Sequence, residues 1–147
     1  MNHKTLLSES EKSQLVAAIK KAEDHTVGEI KVHIDNHCKG DVIEKATSIF
    51  DKLKLYDTKE RTGVLIYMAC IDKKMAILGD KGIHQIVNDV FWNDIVTHSI
   101  SFFKQEKYYE GLECAVNSVG TELHKHFPST QNNTNEISNE ISFGDEE

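Results

Sequence analysis

Between Asp35 and Asp41 the chain reads Asp-Asn-His-Cys-Lys-Gly-Asp, placing two carboxylates, an amide, an imidazole and a thiol within seven residues. Donors of this kind serve metal ions, proton transfer or nucleophilic attack. Asp72 joins the same set if the strands ending near Asp35 and Cys70 are neighbours, because ligands of open α/β sheets sit beyond the carboxyl ends of parallel strands. Two of these acids also have plain structural uses: Asp41 is placed to cap a helix and Asp72 to shape a turn. Zinc is poorly served. His33 falls on a strand, His37 and Cys38 on the following loop, and no C-x-x-C or fourth ligand accompanies them. Cys70 and Cys114 lie in apolar segments, leaving Cys38 as the thiol expected to be exposed. His124 and His126, two apart on a predicted helix, are expected on different faces near its C-terminal carbonyls. Gly79-Asp80-Lys81-Gly82 predicts a tight turn requiring positive φ. No G-x-S-x-G, Walker loop, G-x-G-x-x-G or H-E-x-x-H is present.

The elements that must position these groups follow from periodicity. Ser8 and Glu11 have capping-box spacing, and Leu15, Ile19 and Ala22 recur at helical intervals, so residues 8–24 read as an amphipathic helix. From Gly28 to Asp35 the period becomes two: Ile30, Val32 and Ile34 point one way, and Glu29, Lys31, His33 and Asp35 point to a more polar face. Asp41 then starts a helix carrying Val42, Ile43, Ala46, Ile49, Phe50 and Leu53. Gly63 to Cys70 is continuously apolar, as in a strand buried on both sides at the sheet centre. The strand–helix–strand unit predicts a right-handed crossover and a parallel pair. Asp72-Lys73-Lys74 turns the chain into Met75–Leu78, an antiparallel neighbour, which makes the sheet mixed. Three helical patterns follow, around Ile83, from Trp92 to Phe103 and from Tyr108 to Leu123. Trp92, Phe91 and Phe103 read as core.

One α/β domain over residues 1–128 accounts for this pattern, with Pro128 marking its end. Residues 129–147 carry five acids and no Lys or Arg, and read as a disordered acidic tail. Much of the net charge of −7 therefore sits there, and the preceding residues hold 17 basic against 19 acidic groups. No basic stripe suggests nucleic acid. Three scattered cysteines argue against a disulfide framework, and no run of about 18 apolar residues predicts a membrane span or signal segment. A cytoplasmic protein is expected.

In order and spacing, Gly28-Glu29-Ile30-Lys31-Val32, Gly63-Val64-Leu65-Ile66, Asp72-Lys73-Lys74, Gly79-Asp80-Lys81-Gly82-Ile83, Asp89, Phe103-Lys104 and Tyr108-Tyr109-Glu110-Gly111-Leu112 resemble the TPM domain family over roughly residues 8–128. The resemblance implies a three-layer α/β/α sandwich around a small mixed β-sheet. It also implies acid phosphatase activity or calcium binding, as described for some members. Many relatives carry a signal peptide and a membrane anchor; the expectation here is a variant without them.

Against that background, Glu29 starts the first strand, Asp80 ends the antiparallel third, and Asp89 lies one short helix further on. Glu29, Asp80 and Asp89 are thus the expected ligands of Ca²⁺ or Mg²⁺ at one sheet end, with a metal-bound hydroxide acting on a phosphomonoester. Arg61, the sole arginine, is not expected to accompany this site, which favours cation binding over phosphatase turnover. The alternative is a non-enzymatic module that binds a protein partner through one face or through the acidic tail.

Overall fold

The computed structural model describes residues 2–130 and 135–144. Five helices and four strands follow in the order α1(Glu9–Glu23), β1(Glu29–Asp35), α2(Val42–Lys52), β2(Gly63–Ala69), β3(Lys74–Gly79), α3(Lys81–His84), α4(Asp89–Lys104), α5(Tyr108–His126) and β4(Ser142–Phe143). The local signals act as their chemistry dictates. Ser8 and Glu11 form the reciprocal capping box of α1, and the Asp41 carboxylate accepts the Glu44 N–H at the start of α2. No helix among the described residues is long and apolar enough to cross a membrane.

The sheet order is β3-β2-β1-β4. β1 and β2 are parallel from Glu29↔Gly63 to Asp35↔Ala69, and β3 runs antiparallel to β2. One face of the sheet, presenting Ile30, Val32, Ile34, Val64, Ile66, Met68 and Ile77, packs under α1, α4 and α5. The opposite face, with Leu65, Tyr67, Ala69 and Ala76, packs under α2. These are the three layers of an α/β/α sandwich around a mixed sheet. Trp92 and Phe103 are core residues, as their spacing predicts.

The tail departs from its expected disorder over the described residues 135–144. Ser142 and Phe143 pair parallel with His33 and Ile34, forming the edge strand β4, and Ile137 is buried against Leu65 and Tyr67's layer. Lys31 Nζ donates to the carbonyls of Glu140 (2.7 Å) and Ser138 (3.5 Å), tying the returning chain down. Masked by a polar composition, three apolar residues of this segment (Ile137, Ile141 and Phe143), with the close approach of Gly144 to Asp35, dock it on an edge that would otherwise stand open. The expected polar face of β1 is covered in consequence: Glu29, His33 and Asp35 are all buried.

Candidate functional site

The topology brings the backbones of Glu29 and Asp80 to one sheet end, on either side of β2: the Glu29 N–H donates to Thr62 O (3.1 Å) and the Asp80 N–H to Gly63 O (2.8 Å). Their side chains then part. Glu29 Oε1 accepts the Ile137 N–H at 2.9 Å, within the buried layer under the tail. Asp80 accepts a fork from Arg61, Nε to Oδ2 at 2.6 Å and Nη2 to Oδ1 at 2.9 Å, and caps α3 by accepting the Lys81 N–H at 2.8 Å. Asp89 heads α4 with its side chain 77% exposed, and His84 Nδ1 lies 3.7 Å from its Oδ1. Among the described residues, no group of three or more His, Cys, Asp or Glu side chains is arranged to hold a metal ion. The three carboxylates therefore form no ready-made cage, because two of them are already engaged by donors from distant segments.

Arg61 corrects a second expectation. It does stand at this end of the sheet, but its guanidinium is spent on Asp80 and does not remain open to clamp a phosphate. The glycines beside Asp80 likewise serve close approach and not left-handed backbone, since Gly40 is the positive-φ glycine among the described residues. A Cβ on Gly82 would run into the carbonyl oxygens of Glu60 and Arg61.

Asp89 and His84 form the rim of a groove of about 340 Å³, whose walls include Ile43 of α2, Leu78 and Gly79 of β3, and Trp92 of α4. The Trp92 indole N–H is buried and has no hydrogen-bond partner among the described residues. β3 is the outer strand of the sheet on this side. Because the Asp80 N–H donates to Gly63 O, ladder alternation turns the N–H and C=O of Gly79 and Ile77 away from β2 and toward the groove.

At the opposite sheet end the loop after β1 is stitched shut. Asp72 Oδ2 accepts the Cys38 N–H at 2.8 Å and its Oδ1 meets His37 Nδ1 at 3.0 Å, contacts that hold the carboxyl below its usual range. Asn36 Oδ1 accepts the His3 N–H at 2.7 Å, Lys74 Nζ donates to Cys38 O, and Asp41 caps α2. Cys38 is buried, against its expected exposure, and Cys114 is the partly exposed thiol.

A polar chain that sequence reasoning missed crosses the edge of the sheet. Ser142 Oγ lies 2.8 Å from His33 Nδ1, His33 Nε2 lies 2.9 Å from Asp35 Oδ1, and the Tyr67 hydroxyl donates to Asp35 Oδ2 at 2.7 Å. His33, Asp35 and Tyr67 are buried and Ser142 is half-buried. Burial alone would raise the Asp35 carboxyl, but the hydrogen bonds from His33 and Tyr67 outweigh it and hold the group below its ordinary value. Burial, and then Asp35, push the Tyr67 phenol well above its ordinary value. The alternation of His33 and Asp35 on one face was a visible signal; Ser142, in a segment read as disordered, gave none.

Comparison with known proteins places this geometry in context. The family model of the TPM domain matches residues 1–122. Among solved structures, the BA42 protein from the psychrophilic bacterium Bizionia argentinensis is 39% identical, with a TM-score of 0.86 over 94% of this chain and 95% of that one. The N-terminal domain of a P. gingivalis protein (15% identity, TM-score 0.73, 85% and 81% covered) and that of the cg2496 protein of Corynebacterium glutamicum (15%, 0.64, 84% and 78%) share the fold. The comparison with curated proteins gave no match. With its sandwich, its strand order and most of its length accounted for by one family model, the chain belongs to the TPM domain family.

Proposed function

We propose that this TPM domain binds a divalent cation, Ca²⁺ or Mg²⁺, at the mouth of the β3–α4 groove, with Asp89 as its carboxylate ligand. The carrying observation is that Asp89, alone among the three expected ligands, keeps its carboxylate in solvent, at the rim of an open groove. Mg²⁺ in particular is commonly held by one or two carboxylates, water and the oxygens of a bound phosphate, and needs no all-protein cage. The remaining positions are filled by water and by an anionic ligand seated in the groove. Asp80 supports the site indirectly by capping α3, which carries His84. Glu29 lies deeper and supports the sheet end.

A cation here would polarise a phosphoryl oxygen and acidify a bound water, with His84 as the neighbouring base. Phosphomonoester turnover is slow on this reading, because Arg61 is not free to clamp the phosphate. Amide shifts followed through a Ca²⁺ or Mg²⁺ titration to millimolar concentration test the proposal. Perturbation centred on His84, Asp89 and Asn93, abolished by Asp89→Asn, is expected. Perturbation confined to the Asp35–Asp72 end, or none at all, overturns it. Metal-dependent hydrolysis of an aryl phosphate, lost in the same variant, measures the enzymatic part.

A second reading, a protein-interaction module, draws on the open edge of β3. An extended partner segment could add to Ile77 and Gly79 as a further strand. Ile43, Ile86 and Val90 stand exposed on the flanking helical segments and would meet its apolar side chains. Partner capture lost on Ile77→Pro and indifferent to chelator would favour this reading over the cation.

A further inference from the structure

We propose that Ser142, His33 and Asp35 form a nucleophile, base and positioning residue able to cleave small carboxylic esters, at a site separate from the β3–α4 groove. The hydrogen-bond chain fixes the proton positions. Asp35, held below its ordinary value, can only accept, so the His33 proton between the two groups sits on Nε2 and points at Asp35 Oδ1 (2.9 Å). Nδ1 is left as a lone pair facing Ser142 Oγ at 2.8 Å, ready to take its proton. Tyr67 donates to the other oxygen of Asp35 and stacks beside His33, with ring centroids 6.0 Å apart and planes 11° from parallel, so carboxylate and imidazole are both held in place. The ring is used with its nitrogens exchanged relative to the familiar serine-protease relay, which the logic of the relay permits: it is defined by roles and geometry.

The surroundings provide two further requirements. Ser142 lies on β4, the outermost strand on that side, and is only half-buried. The Gly144 N–H donates to Ile34 O at 2.9 Å, so strand alternation directs the Phe143 N–H to the open edge. An amide directly after the nucleophile is a common donor to a developing oxyanion. A Cβ at Gly144 would overlap Asp35 Oδ1, so glycine is needed for β4 to approach the relay.

In the reaction Ser142 Oγ forms a bond to the ester carbonyl carbon while its proton passes to His33 Nδ1. The tetrahedral oxyanion collapses, the C–O bond to the alcohol breaks, and that oxygen takes the proton from Nδ1, leaving an acyl-Ser142 ester. Water then adds with Nδ1 as base, releasing the carboxylic acid and restoring the hydroxyl.

The test uses the full chain, an alkyl fluorophosphonate and p-nitrophenyl acetate. Fluorophosphonate should add once, at Ser142 by peptide mass mapping, and Ser142→Ala should lose both the adduct and ester turnover while keeping the parent amide spectrum. His33→Asn should slow labelling by about 100-fold or more, the range of a lost general base. In Asp35→Asn the Tyr67 hydroxyl keeps the amide oxygen, the amide NH₂ faces Nε2, and the His33 proton moves to Nδ1, which ¹⁵N shifts of the ring report directly. Labelling should fall with that tautomer change. A folded parent protein that takes no label at Ser142 overturns the proposal. Labelling unaffected by His33→Asn, or ester turnover unchanged in Ser142→Ala, overturns it equally.

Discussion

Arg61 and Asp80, 19 residues apart in sequence, meet as a two-pronged ion pair whose short contacts are 2.6 and 2.9 Å. The pair joins the loop before β2 to the end of β3, and the same carboxylate starts α3 through the Lys81 N–H. Asp80 is buried while the Arg61 side chain is 37% exposed, so Asp80 has more to lose. Asp80→Ala should lower the unfolding free energy by about 1–2 kcal/mol through the lost helix cap. Arg61→Ala should destabilise less, because solvent replaces part of what the guanidinium supplied. Urea denaturation gives both values. Neither variant should remove cation-induced shifts at Asp89, and their loss in Asp80→Ala would return Asp80 to the ligand set.

Glu23 predicts a pH dependence of stability. Its carboxyl is buried, accepts the Ile30 N–H at 2.7 Å and is pushed up to about 8, chiefly by burial and further by Glu29 and Asp24. A carboxyl raised in the native state keeps its proton where the unfolded chain has released it. Its contribution is fully present below pH 4.5 and is lost as pH rises to about 8. Glu23→Gln, which keeps an acceptor for Ile30, should flatten that slope and be more stable than the parent at pH 8 by a few kcal/mol. Equal midpoints for parent and variant across this range would remove Glu23 as the cause.

Ile137 should behave as a core residue although it lies in a polar tail. It is 8% exposed, packs in the layer with Leu65 and Tyr67, and its N–H serves Glu29. Ile137→Ala should cost about 2–4 kcal/mol, in the range of buried aliphatic truncations. Faster hydrogen exchange at Glu29–Asp35 should accompany it. A change below about 0.5 kcal/mol, typical of a surface position, would contradict the docked tail.

Gly82 is constrained by contact. A methyl group there meets the backbone carbonyls of Glu60 and Arg61, and backbone yields less readily than the end of a side chain. Gly82→Ala should destabilise by about 1–3 kcal/mol, as overpacking does. It should also disturb the Arg61–Asp80 fork, visible in the Arg61 Nε–H resonance.

Legibility followed sequence separation. The capping box of α1, the period-two run of β1 and the apolar run of β2 act within a few residues, and each is read directly from spacing. The parallel pair and the antiparallel third strand then follow from general rules of handedness and turn length. Glu29 and Asp80 came to one sheet end for the same reason. What their side chains do there was not legible: Arg61 and Ile137 decide it, from 19 and 108 residues away. Ser142 reaches His33 across 109 residues.

By itself, then, the order of residues determined the helices, the first three strands of the mixed sheet and which carboxylates approach its end, because local dihedral preference and the burial of apolar faces are encoded in short-range pattern. Only the folded chain decided which of those carboxylates stay open. A charged or polar side chain takes the nearest suitable donor, and nearness is set by packing between segments that sequence distance does not relate. Hence Asp80 and Glu29 are engaged within the protein, Asp89 faces the groove, and His33 stands between Asp35 and Ser142.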